Sequence, residues 1–117
     1  MVLFLLQVQH MSGNPLDVFK EFDPKILEYW NNLQGLTYAE GALNTKTKLL
    51  IAMAIDATTG AVQGAIVLGQ RAMKMGATKE EIVEALRVAH SIGGNQALFT
   101  SATALQSLFK QNSPAPP

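Results

Sequence analysis

The side chains able to do chemistry are few. His90 stands amid Val88, Ala89 and Ile92, and Asp56 interrupts a nearly all-apolar stretch. An imidazole, with an unperturbed pKa of about 6.5, suits either acid or base work. A carboxylate among apolar residues must be paired, hydrogen-bonded or protonated. Asp56 therefore reads as a cation-binding or proton-accepting group, or as a structural one that caps the next helix or pairs with Arg71 or Arg87 within a subunit or across an interface. His90 reads as a proton-transfer group, or as a core or interface histidine bonded to a carbonyl. No second catalytic partner is evident beside His90, so both residues are weak catalytic candidates and the structural readings are preferred.

Gln63 and Gln70 lie two helical turns apart and share a face. With Asn95 and Gln96 they are amides that could orient a small polar ligand, though such groups more often satisfy helix ends or subunit contacts. Tyr38 and Glu40 precede the apolar core and read as a solvated loop or as a lid. His10 lies far from His90, and neither belongs to a His-x-x-His, His-x-x-x-His or carboxylate pattern, so no metal site is expected. No phosphate loop, serine elbow or basic-aromatic patch is present. The sequence holds no cysteine, which excludes disulfides, thiolate metal sites and a cysteine nucleophile. No cofactor is expected.

Composition sets the frame for these groups. At 117 residues the chain is one domain by length. Hydrophobic residues make up 48% and charged residues 15%, against about 25% charged in an average soluble domain. That deficit points to further burial between subunits. Nine basic and nine acidic residues cancel, which leaves no electrostatic reason to expect nucleic acid or an anionic membrane as partner. The run Val2–Leu6 is too short for a membrane span and lacks a signal-peptide pattern. Residues 1–13 read as an extension, either peripheral or an arm on a neighbouring subunit. Residues 14–110 read as a single helical domain, and 111–117 as a disordered tail. A cytoplasmic location is expected.

The elements that must position the candidates are helices. Asn14-Pro15 and Asp23-Pro24 are start signals. The first opens a short helix with Leu16, Phe19 and Phe22 on one face. The second opens a helix carrying Ile26, Leu27, Trp30 and Leu33 and ended by Gly35, with one further turn between Thr37 and Leu43. A first central helix follows Asn44-Thr45, with Leu49, Leu50, Met53, Ala54 and Ala57 as its buried stripe. Ile51, Ala52 and Ile55 make it apolar nearly all round, which predicts burial on several sides. Thr58-Thr59-Gly60 breaks it. The second central helix, Ala61 to Met75, carries small residues at Ala61, Gly64 and Ala65, where the tightest helix crossing is expected, and Gly76 supplies a left-handed cap. Thr78 and Glu81 form a capping box. A helix from Lys79 to Ile92 buries Ile82, Leu86 and Val88 or Ala89. Gly93-Gly94 breaks it before a last helix carrying Ala97, Leu98, Ala104, Leu105 and Leu108. No run alternates with a period of two, so the chain reads as all-α.

The ordered set Lys46-Thr47-Lys48-Leu49-Leu50-Ile51-Ala52, Gly60, Arg71-Ala72, Gly76-Ala77-Thr78-Lys79-Glu80-Glu81-Ile82-Val83-Glu84-Ala85-Leu86 and Gly93-Gly94 with Ala97-Leu98 resembles the carboxymuconolactone decarboxylase family, which includes the alkylhydroperoxidase D-like proteins. The match covers roughly residues 40 to 108. The resemblance implies a compact bundle of about five to six helices with a central antiparallel hairpin, assembled as a trimer or hexamer of identical chains. It also implies where peroxidase members carry a glutamate, a Cys-x-x-Cys pair and histidines. Here those positions are Leu49, Ala61 and Gly64, and Gln63 and Leu68. A dithiol needs a thiolate attacker, a resolving sulfur and a proton relay, and these replacements supply none. The expectation is a redox-inactive structural or small-molecule-binding oligomer. The alternative is a cofactor-free lactone decarboxylase-like lyase using His90 or Asp56.

Overall fold

The computed structural model describes residues 15–110. The expected N-terminal extension, His10, the Asn14 start signal and the C-terminal tail lie outside the described residues. The described chain is helical, without a strand among its described residues, and divides between Asn44 and Thr45 into two units.

In the first unit a 3-10 turn, Pro15–Val18, leads into α1, Phe19–Phe22, and then α2, Pro24–Tyr38. Asp23 caps α2: its side chain accepts a hydrogen bond from the Ile26 amide at 3.2 Å, with Pro24 in the first turn. Gly35 does not end α2. A mid-helix glycine weakens a helix by about 1 kcal/mol without forbidding it. The helix runs on to Tyr38 and stops where Ala39 turns extended. The expected apolar face is split. Leu27 and Trp30 are half-buried with Asn31, Gln34 and Tyr38, whereas Ile26 and Leu33 are exposed on the other side of the helix with Tyr29 and Leu36. Phe22 is likewise exposed, although Leu16 and Phe19 are half-buried.

In the second unit three helices build the core: α3, Thr45–Thr59; α4, Val62–Lys74; and α5, Lys79–Lys110. One stripe of α3, Thr45, Leu49, Met53 and Ala57, is buried at a spacing of four, on the side that packs against α4 and α5. Leu49, Met53 and Ile82 are the largest fully buried side chains. The expectation that α3 is buried on several sides does not hold within one chain: Ile51 and Ile55 are exposed, as are Val88 and Leu98 on α5.

Both α3 and α4 end in the same way. Gly60 (φ +79°) and Gly76 (φ +100°) take the left-handed conformation after the last turn. The Ala61 amide donates to the Asp56 carbonyl at 2.9 Å, and the Ala77 amide donates to the Ala72 carbonyl at 2.9 Å. This is the glycine-terminated closure that satisfies orphan carbonyls. The capping box forms in full: the Thr78 amide donates to Glu81 Oε1 (2.8 Å) and the Glu81 amide donates to Thr78 Oγ1 (3.1 Å).

The Gly93-Gly94 break reverses the chain. Gly94 is non-helical at φ 70°, ψ −149°. The arm of α5 before it runs parallel to α3: Lys46 Nζ meets Glu81 Oε2 at 2.9 Å near one end, and a Cβ on Gly93 would stand 3.0 Å from Thr58 Cγ2 near the other. Both pairs are offset by 35 residues, 81 − 46 and 93 − 58. The arm after the break returns, from Gln96 beside Gly60 to Leu108 beside Gly69 and Met53. No helix among the described residues is long and apolar enough to cross a membrane.

Candidate functional site

Most of the polar candidates collect at one end of the second unit, where α3 stops, α4 starts and α5 turns back. Asp56 lies one turn before the end of α3, and Gly64 lies in the first turn of α4. The Asp56 carboxylate covers Gly64 so closely that a Cβ there would meet Oδ2 and stand 3.0 Å from Cγ. Gly64 thus fits here because it has no side chain. The tight approach expected across Ala61, Gly64 and Ala65 is real at Gly64, and Ala65 is fully buried, but Ala61 is the exposed residue preceding α4. A second close approach lies at Gly69, where a Cβ would be 2.8 Å from Leu108 Cδ1 and 3.3 Å from Met53 Sδ.

Within the described chain the Asp56 carboxylate makes neither the capping nor the pairing contact expected of a structural role. It forms no hydrogen bond or ion pair among the described residues, so neither Arg71 nor Arg87 of the same chain pairs with it. It does not cap α4, whose preceding residue is Ala61 with no side-chain cap bond. Burial raises its carboxyl above the usual carboxylate range by penalising the charged form.

His90 is half-buried on the first arm of α5. Its Nδ1–H donates to the Gly94 carbonyl across the break, at 2.9 Å. A carbonyl only accepts, so the proton sits on Nδ1 and Nε2 is left as an acceptor in the neutral ring. No hydrogen bond joins His90 to Asp56. Gln96 lies over the turn between α3 and α4, with Nε2 2.9 Å from the position of a Cβ on Gly60. Gln63 and Asn95 are exposed at the same end.

Other candidates of the second unit lie apart. Leu49 is fully buried, about 10 Å along α3 from Asp56 by helical rise. Leu68 is half-buried, and Gln70 is exposed further down α4. Tyr38 and Glu40 belong to the first unit. Ser101, which sequence patterns did not mark, is buried with no hydrogen-bond partner for its Oγ among the described residues. A groove of about 330 Å³ lined by Lys79, Glu80, Val83, Glu84 and Arg87 opens on the first arm of α5 and contains neither Asp56 nor His90. The contact between Asp56 and Gly64 had one faint signal in sequence, a carboxylate and a helical glycine each four residues from the Gly60 turn.

Comparison with known proteins gives two findings. Residues 24–107 match the model of the carboxymuconolactone decarboxylase family. A crystal structure of a carboxymuconolactone decarboxylase family protein from Legionella pneumophila, in its apo form, is similar at a TM-score of 0.77 and 30% identity, over 92% of this chain and 98% of that one. A search of curated proteins returned no match.

Proposed function

The chain belongs to the carboxymuconolactone decarboxylase family, and on that premise we propose that it is a thiol-independent member, an oligomer with a structural or small-molecule-binding role. The observation that carries this reading is the absence of cysteine from the whole sequence. The surroundings of the replaced positions support it. Leu49 is sealed in the core, and the space a side chain at position 64 would use is filled by the Asp56 carboxylate. Association of identical chains is supported by the low charged fraction and by large apolar residues left exposed on every α-helix of the described chain except α4.

The direct test is peroxide consumption by the purified chain in the presence of a dithiol reductant. The expected rate equals the protein-free blank. A protein-dependent rate would overturn the reading. Light-scattering mass of the same sample tests association, with a multiple of the chain mass expected and a monomer overturning that part.

One observation favours a second reading, a cofactor-free lactone decarboxylase-like lyase. Asp56 is a half-buried carboxylate with no hydrogen bond or ion pair among the described residues, and burial raises its pKa, which favours a proton-exchanging role. In that reading Asp56 transfers the proton, and the free Nε2 of His90 is the second group at the same end. Release of carbon dioxide from a carboxylated lactone, lost in Asp56→Asn, tests it. Turnover unchanged in Asp56→Asn removes Asp56 from the reaction.

A further inference from the structure

We infer that the exposed stripe of α2 is a contact between two copies of this chain, docked antiparallel. The inference rests on the proposed association of identical chains and says which surface makes it. Ile26, Tyr29, Leu33 and Leu36 are 41%, 62%, 41% and 76% exposed. Their spacings of three, four and three are those of an a/d seam, the pattern with which one helix packs against another. The opposite side of α2, Leu27, Trp30, Asn31, Gln34 and Tyr38, is the half-buried one, and no residue of α2 is fully buried. An isolated helix of 15 residues is marginal in water, and an exposed apolar stripe along it calls for a partner.

The occupant follows from the symmetry and charge of the stripe. Positions 26 and 36 sum to 62, and so do 29 and 33. A two-fold axis beside residue 31 therefore seats Ile26 on the partner's Leu36 and Tyr29 on the partner's Leu33, the isologous contact of a symmetric pair. The charges agree with this direction. The last turn of α2 holds no basic residue to face its negative dipole end. Antiparallel docking brings Lys25, at the start of one helix, opposite position 37, in the last turn of the other. Glu28 comes opposite Gln34, so no like charges face each other. A parallel pair would stack each dipole end on its like.

The lack of cysteine makes the test clean, since each introduced thiol is the only one in its chain. Ile26→Cys and Leu36→Cys chains, carrying tags of different size, are mixed, allowed to exchange and treated with a mild oxidant. The expected product is the mixed disulfide dimer, with little dimer from either variant alone, because two copies of residue 26 lie ten residues apart along the pair, about 15 Å. Dimers from each variant alone, with no preference for the mixture, would mean parallel docking and overturn the proposal. No dimer from any combination, with the wild-type chain still associated by light scattering, overturns this surface and leaves association standing. A monomeric wild-type chain removes both. Leu33→Glu supplies a second readout: the associated mass falls at least two-fold with an unchanged helical circular dichroism signal. An unchanged mass again overturns the surface.

Discussion

A double-mutant cycle at Gly64 and Asp56 probes the contact on which the reading of the site depends. On helix propensity alone, Gly64→Ala should stabilise α4 by about 1 kcal/mol. The structure opposes this, since the new Cβ would lie 3.0 Å from Asp56 Cγ and 3.7 Å from Asp56 Cβ. Asp56 must then swing away, and a forced shift of this kind typically costs about 1–3 kcal/mol. The net expectation is destabilisation of about 0–2 kcal/mol in the native background. In an Asp56→Ala background the obstruction is gone, and the same substitution should stabilise by about 1 kcal/mol. The coupling energy is the difference, about 1–3 kcal/mol, within the range for residues in contact. Urea unfolding of the four purified chains at one protein concentration measures it, the fixed concentration keeping any association constant. Equal stabilisation by Gly64→Ala in both backgrounds would show that the carboxylate does not occupy this space. The same result decides whether a side chain at position 64 can be accommodated without first removing the carboxylate.

Three further expectations follow from the geometry. Gly94→Ala should cost about 1–3 kcal/mol in thermal or urea unfolding, because φ 70°, ψ −149° is a region essentially reserved for glycine; a neutral effect would place the reversal elsewhere. Glu81 is held below the usual carboxylate range, first by the Thr78 amide and then by Lys46. Its contribution to stability is therefore present above the unfolded-state pKa and lost as pH falls through the lower folded-state value, and Glu81→Gln should flatten the acid limb of stability against pH. Asp56 has the opposite sign: its folded-state pKa is raised, so its contribution is lost as pH rises through the window between the unfolded and folded values. Asp56→Asn should remove that decline and raise stability at pH 7, and a variant less stable than the parent at pH 7 would show that the carboxylate has a partner.

Local rules account for much of what was legible in the sequence. The Asp23 cap, the glycine closures at Gly60 and Gly76, the Thr78–Glu81 box and the break at Gly93-Gly94 each depend on residues within five positions of one another, so their chemistry is written in the order of the chain. The Leu49–Met53–Ala57 stripe was legible for the same reason. Gly35 misled because a glycine lowers helix stability without setting where the helix stops, and the extended turn at Ala39 set it.

The sequence by itself determined that the chain is helical, where most of its helices start and stop, its likeness to the carboxymuconolactone decarboxylase family, and the absence of any thiol. Those are properties of residue type and short-range spacing. Only the tertiary structure decided that Asp56 stands over Gly64 with no hydrogen-bond partner among the described residues, that His90 bonds to the Gly94 carbonyl, and that one side of α2 is exposed. The physical reason is that apolar character states that a side chain can be buried, while which neighbour buries it depends on how helices distant in sequence cross. Ile26 and Leu33 could not be told from Leu27 and Trp30 in the sequence, and only the structure leaves the first two exposed and the second two half-buried.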